Sequence, residues 1–262
     1  MKFIIAIFKE IIESLIRNSK LVFIDNKDSH LIDELMEDGI TLAESILNSD
    51  ECKNLRDKID GYINNSDTNI WCDEIGADKR IYFINEIDSD FEKIYSNSFI
   101  RDILRKYTGI RNPAGMLLAA RIDAKEGNIG SGGGWHRDSP TSHQFKAICY
   151  LSDVAKTNGP FQFIKGSHKK STVIKSYLRG IFNPGQFRFN EREIKNFLTD
   201  SKSQISDIVA PEGSLIFVDT KGLHKGKPIL EGSRYVLFCY FWEKSIPNHF
   251  KKLAQNALQK NK

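Results

Sequence analysis

The sequence predicts an α+β protein in which N-terminal helices flank a β core of the jelly-roll or barrel type. Two observations lead to this prediction. Apolar residues recur at helical spacing through the first 110 residues, and short apolar or alternating runs follow Pro113, separated by Gly, Pro and Asn. Many short strands with turn residues between them are typical of jelly rolls and barrels. We expect one domain over residues 1–262, with residues 1–110 mainly helical and residues 111–245 forming the β core.

The composition is that of an ordinary globular protein and excludes several classes. The chain has 262 residues, of which 40% are hydrophobic and 27% charged, and its formal charge of +4 gives no indication of nucleic-acid binding. Its four cysteines are widely spaced and form no CxxC pair, which favours reduced thiols and a cytoplasmic location. The apolar run Phe3–Phe8 ends at Lys9 and is too short for a membrane span, so we expect no integral membrane association.

The first predicted helix covers residues 3–16 and has one broad apolar face. We expect that face to pack against the body of the protein. A helix lying on a membrane surface is the alternative, but such a helix usually has a polar face rich in Lys and Arg, whereas this one mixes acids and bases. The residues of the predicted face are Ile4, Ile5, Phe8, Ile11, Ile12, Leu15 and Ile16.

Two further helices have recognisable ends. Ser49 is placed to cap a helix that continues to Ile63, with acidic residues in its first turn. The other runs from about Asp90 to Tyr107, and Gly109 is its expected stop.

The predicted strands begin with Arg80–Asn85 and continue in the second half of the chain. In Phe145–Leu151 every second residue is apolar, which predicts that one face of this strand is buried. The other predicted strands are Met116–Ile122, Phe161–Ile164, Ile205–Val209, Ser214–Val218 and Arg234–Trp242.

A basic segment, residues 165–203, interrupts this series and is expected to lie over one mouth of the β core. It holds nine Lys or Arg against three acidic residues, and Asn190 and Glu193 are spaced as a capping box. Two interpretations stay open. The bases either form a solvated surface, or they close over the pocket and favour an anionic substrate.

The strongest chemical pattern lies in the loop GSGGGWHRDSP. His136 and Asp138 are two residues apart, so on an extended segment both side chains emerge on the same face and can hold one metal ion. His224, at the end of a buried strand, is the best third ligand. Two histidines and one carboxylate on one face of a metal are used by non-haem Fe(II) oxygenases. Of the other histidines, His143 is expected to be exposed or beside the site, and His249 is expected at the surface.

Arg234 opens the long apolar run that ends at Trp242. A guanidinium at the start of a core strand needs a partner, because an unpaired buried charge is costly, and a carboxylate fits its two-pronged geometry. A dicarboxylic cosubstrate would supply such a carboxylate.

Four other polar side chains have open interpretations. Arg121 either contacts a substrate or cosubstrate or forms a structural ion pair, and Arg137 should face away from the metal because it lies between the two ligands. Tyr82 and Asn85 either line the pocket or serve packing and the surface.

Several stretches of the chain resemble the phytanoyl-CoA dioxygenase family of Fe(II)/2-oxoglutarate oxygenases. These are GGWHRDSP, NGPFQFIKGSHK and PEGSLIFVDTKGLHKGKP with the arginine after them, together with the N-terminal DGITLAESILNSDECKNLRDKI. The resemblance covers residues from about 38 to 242. It implies a double-stranded β-helix core of the cupin type, in which His136, Asp138 and His224 bind iron and Arg234 holds the distal carboxylate of 2-oxoglutarate. His168 matches a structural landmark of the family and is not assigned to the metal.

The resemblance implies an enzyme that hydroxylates an unactivated C–H bond of a small molecule, with release of succinate and CO2. A lipid, a CoA ester, a sugar or a natural-product intermediate would each suit this chemistry, and the substrate is either anionic or neutral. The alternative is a cupin-like protein that binds a metal or a ligand without turnover. The presence of all four residues of the implied site argues against that alternative.

Overall fold

The computed structural model describes residues 1–18, 28–43, 45–65, 70–139 and 144–252. Among these residues it contains ten β-strands, and the six strands predicted after Pro113 are all found. The strands are β1 (Ile40–Ala43), β2 (Trp71–Cys72), β3 (Asp78–Tyr82), β4 (Ala114–Asp123), β5 (Gln144–Tyr150), β6 (Phe161–Ile164), β7 (Ile205–Ile208), β8 (Leu215–Asp219), β9 (His224–Gly226) and β10 (Ser233–Trp242).

The strands form two antiparallel sheets. The large sheet has the order β1-β8-β5-β10-β4-β3-β2, and the small sheet has the order β7-β6-β9. An isolated bridge between Val154 and Ala210 extends the small sheet at one end, and a bridge between His136 and His224 extends it at the other. This arrangement is the double-stranded β-helix that the resemblance implied.

The two faces of the large sheet bury different clusters. On β5, Phe145, Ala147 and Cys149 share one buried face, as the alternation predicted, and this face packs against the N-terminal helices. The intervening residues Ile148 and Tyr150 face the small sheet and help to form the core between the two sheets. The inner face of β5 is therefore the face that can line a pocket.

Seven α-helices lie among the described residues, and two of the predicted helix boundaries were wrong. Asn48 rather than Ser49 caps α3, since its side chain and that of Glu51 form a reciprocal capping box. The helix predicted from Asp90 to Tyr107 is divided, because Asn97 caps a new helix, and Gly109 ends it as predicted. The helices are α1 (Lys2–Asn18), α2 (Ser29–Glu37), α3 (Ser49–Asn64), α4 (Ser89–Tyr95), α5 (Ser98–Thr108), α6 (Lys170–Leu178) and α7 (Glu191–Ser201).

The basic segment folds into α6 and α7 and has a hydrophobic cluster of its own with α1. The predicted capping box of Asn190 and Glu193 begins α7. Between the two helices, residues 187–189 run beside residues 135–137: Arg137 N–H donates to the Phe187 carbonyl, and Phe189 N–H donates to the Trp135 carbonyl, both at 3.0 Å. The segment therefore supports the loop that carries His136 rather than only covering a mouth of the core.

The prediction that the broad face of α1 packs against the body was wrong in its choice of face. Ile7 is buried, and Phe3 and Ile11 pack beside it in the cluster of α6 and α7. Most of the predicted face is exposed instead. Because apolar residues cover more than half of the circumference of this helix, hydrophobic spacing alone could not decide which part of them meets the protein. No helix in the described ranges is long and apolar enough to cross a membrane.

Candidate active site

The loop before His136 brings backbone very close to its imidazole ring. Gly132 has a φ of +87°, and a Cβ there would lie 2.5 Å from Cε1 of His136, so both the conformation and the space require glycine. His136 and His224 then pair through their backbones, each N–H donating to the other's carbonyl at 2.9 Å. Asp138 N–H donates to the Thr220 carbonyl at 3.0 Å. The backbone thus fixes all three predicted ligands side by side.

The structure brings the predicted triad together. The ligand atoms of His136, Asp138 and His224 all lie within 4.8 Å of one another, and each histidine Nε2 is 3.9 Å from an Asp138 carboxylate oxygen. Each Nδ1 contacts a backbone carbonyl two residues earlier at 2.9 Å, Gly134 for His136 and Gly222 for His224. A carbonyl can only accept, so Nδ1 carries the hydrogen in both rings and Nε2 keeps its lone pair.

The titratable groups of the triad are in the protonation states that metal ligation requires. Burial lowers the pKa of His136 and of His224, so both rings stay neutral and able to bind a metal. Burial alone would raise the pKa of Asp138, but Lys146 and the two histidines outweigh it and hold that pKa well below its usual range. The Nε2 of His224 is buried and has no hydrogen-bond partner in the described part of the chain. A metal ion at the triad would give this atom the partner it lacks.

Lys146 contacts the triad, and sequence analysis missed it. Its Nζ lies 2.5 Å from Oδ2 of Asp138 and 4.4 Å from the centre of the Tyr240 ring. Burial alone would lower the pKa of Lys146, but the carboxylate of Asp138 raises it, so the side chain is charged. The sequence pattern could have indicated this position, because Lys146 lies between Phe145 and Ala147 and therefore on the same side of β5 as Ile148, the inner face.

Arg234 lies at the start of β10 and lines the same cavity as the triad. The side chain is buried, and its Nε and Nη1 atoms have no hydrogen-bond partner among the described residues. Burial lowers the pKa of Arg234, and no described carboxylate pairs with it to offset that cost. The two orphaned donors are what a carboxylate of a bound ligand would satisfy.

The cavity that joins these residues has a volume of about 390 Å³. One wall is aromatic and comes mainly from alternate residues of β10, with Phe250 from the C-terminal segment. Ring centres in this wall lie 5.3 to 6.4 Å apart. The wall consists of Tyr82, Phe238, Tyr240, Trp242 and Phe250. The charged lining residues include Lys146, whose Nζ lies against the Tyr240 ring of this wall.

The structure decides most of the other residue predictions. Tyr82 lines the cavity, whereas the side-chain oxygen of Asn85 accepts from Leu117 N–H at 2.8 Å and lies outside the lining. Arg121 forms ion pairs with Asp60 and Asp123, both at 2.9 Å, so the structural interpretation of this arginine holds. His143 lies outside the described residues.

Arg137, His168 and His249 lie outside the triad. Arg137 faces away from the triad as predicted, with its guanidinium 5.1 Å from the Phe189 ring. His168 lies beside Gly39, away from the triad, and its Nε2 is 3.3 Å from the Met36 carbonyl. His249 was predicted at the surface, and although exposed it also lines the mouth of the cavity, because the C-terminal segment folds back over β10.

Of the nine bases in the basic segment, only Arg188 is among the described residues that line the cavity. Its Nη1 donates to the carbonyls of Gly132 and Gly133, in the loop before His136. Other bases of the segment form ion pairs elsewhere, such as Lys165 with Asp38 at 2.6 Å.

A double-stranded β-helix with two imidazoles and one carboxylate converging in a buried cavity, and an unpaired arginine in the same cavity, defines the class of metal-dependent oxygenases that use a dicarboxylic keto acid. The sequence profile of the phytanoyl-CoA dioxygenase family (PhyH) matches residues 35–234, and the chain belongs to this family. It is an oxygenase of the Fe(II)/2-oxoglutarate type. The family and the donor set agree with the prediction of Fe(II) and 2-oxoglutarate as cofactors.

Solved structures with the same fold have low sequence identity. The epimerase SnoN, solved with Fe3+, alpha-ketoglutarate and nogalamycin RO, is 14% identical with a TM-score of 0.62, over 82% of this chain and 83% of that one. The carbocyclase SnoK is 12% identical with a TM-score of 0.62, over 86% of each chain. HygX from Streptomyces hygroscopicus, solved with nickel, 2-oxoglutarate and hygromycin B, is 15% identical with a TM-score of 0.56, over 84% and 88%. No curated protein matches the sequence.

Proposed function

We propose that this protein hydroxylates an unactivated C–H bond of a small anionic molecule, with His136, Asp138 and His224 as the iron ligands and Arg234 as the site for the distal carboxylate of 2-oxoglutarate. The observation that carries the proposal is the convergence of three ligand atoms within 4.8 Å beside an arginine with two unpaired buried donors. These are the groups that the metal and the keto acid require.

The protein's own residues have separate tasks in this reaction. The oxidant is dioxygen, which a bound metal would activate. 2-Oxoglutarate would supply two electrons by losing CO2, so that one oxygen atom ends in succinate and the other in the product. The carbonyls of Gly134 and Gly222 hold both imidazoles in the ligand-competent tautomer. Arg234 anchors the cosubstrate, and the aromatic wall excludes water and orients the C–H bond that reacts.

Arg234 argues against the alternative of a binding protein without turnover. A buried guanidinium with unsatisfied donors destabilises the folded protein unless a ligand pairs with it. In a protein that only holds a metal or a small ligand at the triad, nothing would offset this loss of folding stability. A cosubstrate with a second carboxylate explains it.

The charge of the cavity favours an anionic substrate. Four Lys or Arg side chains line it, namely Arg80, Lys146, Arg188 and Arg234, whereas Asp138 is the only acidic residue among the described lining residues. Asp78, which is not a lining residue, pairs with Arg80 at 2.5 Å, so counting this pair the positive charges exceed the negative ones by two. A divalent metal and a doubly charged keto acid add no net charge to this balance. A substrate with a carboxylate or phosphate therefore complements the positive excess, and an apolar or ring-shaped body suits the aromatic wall.

The volume of the cavity limits the size of that substrate. At about 390 Å³ it is at the lower end of ligand sites, which range over roughly 300 to 1,000 Å³, and it must also hold 2-oxoglutarate. A small metabolite fits this space. A CoA ester would have to leave most of its length outside.

The test is a screen of small ring-containing carboxylates and phosphates, each beside its neutral amide or ester, with Fe(II), 2-oxoglutarate and 18O2. We expect succinate to form only with an anionic member of such a pair, and its product to gain one 18O atom. A product without 18O would instead indicate a rearrangement such as the epimerisation attributed to SnoN. Succinate formation with the neutral member alone would contradict the anionic assignment.

A matched pair of variants examines the role of charge at the mouth. Arg188→Gln removes a cavity cation, and we expect it to raise KM for the anionic substrate with a smaller effect on kcat. Arg179→Gln removes an arginine of the same segment that pairs with Asp200 at 2.5 Å outside the cavity, and it should leave both constants unchanged. Equal effects of the two substitutions would rule out a role for Arg188 in binding.

A further inference from the structure

One face of α1 presents a stripe of large apolar side chains to solvent, which we call the exposed stripe. Each of its members is between 53% and 65% exposed, and no other helix among the described residues exposes as many. Single exposed apolar residues are ordinary, but a contiguous row is a feature of interaction sites. The exposed stripe consists of Ile5, Phe8, Ile12, Leu15 and Ile16.

The opposite face of α1 is held firmly by the protein. Ile7 is 1% exposed, and the ring of Phe3 packs edge-on against Tyr177 of α6 with 5.2 Å between ring centres. Ile11 joins the same cluster. The docked face thus fixes the orientation of the helix, so the exposed stripe points outward as part of a formed surface.

The spacing of the exposed stripe suits another helix. Ile5, Phe8, Ile12 and Leu15 follow one another at intervals of three, four and three residues, which is the spacing of the apolar seam in a helix pair. A partner helix needs the same spacing to interlock with this seam. A second copy of α1 has it by definition.

The charged residues beside the exposed stripe of one copy are complementary to those of a second copy. Lys9 and Glu13 lie on one edge of it, with 3.8 Å between Nζ and Oε1. If two copies of α1 cross antiparallel about a twofold axis near the middle of the stripe, Lys9 of each copy comes within about a turn of Glu13 of the other. Both ion pairs then form at once, as an isologous interface requires.

The area of the exposed stripe is close to what a dimer needs. Five side chains that are each more than half exposed offer roughly 600 Å² of apolar surface per copy, against about 800 Å² per partner in a standard interface. The polar residues on its edge supply the remainder. From spacing, charge and area we infer that the protein forms a twofold dimer through the exposed stripe of α1.

A membrane surface is the competing occupant, and the charge pattern disfavours it. Helices that lie on anionic lipid surround the apolar face with Lys and Arg. Here Lys9 is paired with Glu13, and Glu10 follows Lys9 directly in the sequence. The helix carries three bases, Lys2, Lys9 and Arg17, against Glu10 and Glu13, so its charge is mixed rather than uniformly basic.

The test is the mass of the full chain in solution, measured by light scattering and sedimentation velocity over a range of concentrations. We expect about twice the chain mass of 29.9 kDa for the wild type. Phe8→Glu and Ile12→Glu place a charge in the seam and should each raise the dimer dissociation constant at least about a hundredfold. Leu178→Glu is the matched control, since Leu178 is 73% exposed but lies on α6, outside the stripe, and this variant should stay dimeric.

Charge reversal tests the antiparallel arrangement. Lys9→Glu or Glu13→Lys alone should weaken the dimer, and the double substitution should restore it, because both pairs across the axis regain opposite charges. Unchanged helix content in circular dichroism and an unchanged melting temperature show that the variants are folded.

Three results would overturn the inference. The first is a wild type that stays monomeric at all concentrations, and the second is a dimer that survives both Phe8→Glu and Ile12→Glu. The third is sedimentation of the wild type with phosphatidylserine-containing vesicles in place of self-association, which would assign the exposed stripe to a membrane.

Discussion

Lys146 Nζ lies 2.5 Å from Oδ2 of Asp138, so a proposed iron ligand and a lysine eight residues later in the chain form a buried ion pair. Asp138 follows the glycine-rich loop, whereas Lys146 lies on the inner face of β5. The lysine neutralises a carboxylate that would otherwise be an uncompensated buried charge. A metal ion at the triad would therefore meet a carboxylate that already has a cationic partner.

The first prediction concerns this pair. Lys146→Met should lower the stability of the metal-free protein by about 3 kcal/mol, because it leaves the buried carboxylate of Asp138 uncompensated. A divalent metal would then supply the missing positive charge, so the gain in melting temperature on adding Ni2+ should be larger in Lys146→Met than in the wild type. Thermal unfolding with and without Ni2+ measures both quantities.

The control for that prediction is Lys165→Met, which breaks a half-exposed pair with Asp38 at 2.6 Å far from the triad. It should show the wild-type gain with Ni2+. An equal gain in all three proteins would mean that Lys146 does not compete with the metal for Asp138.

The second prediction concerns two glycines in the loop before His136. It separates the cost of backbone strain from displacement of the His136 ring, a proposed metal ligand. Gly132 and Gly134 have φ values of +87° and +90°, so replacing either with Ala costs about 1–2 kcal/mol of conformational strain. Only the Cβ at residue 132 would reach the His136 ring, at 2.5 Å, whereas the one at residue 134 meets nothing within 4 Å. Gly132→Ala should therefore weaken Co2+ binding at least about tenfold, and Gly134→Ala should not.

Calorimetric titration of both variants with Co2+ checks this, and thermal unfolding compares their strain. Equal metal affinities in the two variants would show that close packing of Gly132 against His136 has no influence on the site.

The third prediction concerns Arg234. Arg234→Ala should raise the Kd of the Ni2+-loaded protein for 2-oxoglutarate at least about a hundredfold, because two charge-assisted hydrogen bonds are lost. Arg234→Lys should recover only part of the affinity, since an ammonium cannot pair with a carboxylate through two fixed donors. Titration calorimetry measures all three Kd values.

A second ligand makes this measurement specific. 2-Oxobutyrate has the same keto-acid end but lacks the distal carboxylate, so its Kd should be the same in the wild type and in Arg234→Ala. If both ligands lost affinity equally, the arginine would support the cavity rather than bind the carboxylate.

The fourth prediction concerns the four cysteines. Burial raises the pKa of Cys52 to about 11 and that of Cys239 to about 12, and it raises the pKa of Cys149 well above its usual value. Thiolate is the reactive form, so these thiols should resist a disulfide reagent at pH 8. Cys72 is exposed. One thiol should therefore react quickly in the folded protein, and four should react in denaturant. Cys72→Ser should remove the fast reaction. A fast reaction of any buried thiol would contradict the packing around it.

The sequence was sufficient to select the residues of the candidate site whose chemistry is unusual, and the structure brings them together. His136, Asp138 and His224 could be selected because imidazole and carboxylate groups at that spacing have few other uses, and Arg234 because a guanidinium is out of place at the start of an apolar strand. The strands after Pro113 were predictable because alternation has a fixed period of two.

The features that the sequence could not supply depend on contacts between distant segments. The pairing of residues 187–189 with residues 135–137 follows no local rule, so the basic segment was expected over a mouth rather than beside the histidine loop. The docked face of α1 was chosen wrongly because its apolar arc is wider than the part that packs. Lys146 was missed although its place on the inner face of β5 was readable, since a lysine in a strand is usually expected at the surface.

The central claim is that the triad binds iron and that the cavity holds 2-oxoglutarate on it. The most direct measurement is anaerobic addition of Fe(II) and 2-oxoglutarate to the purified protein, recording the weak visible metal-to-ligand charge-transfer band. We expect a band for the wild type and for His30→Ala, which changes an exposed histidine far from the triad in sequence, and no band for His224→Ala. A folded, iron-loaded wild type without the band, or a band that survives His224→Ala, would contradict the claim.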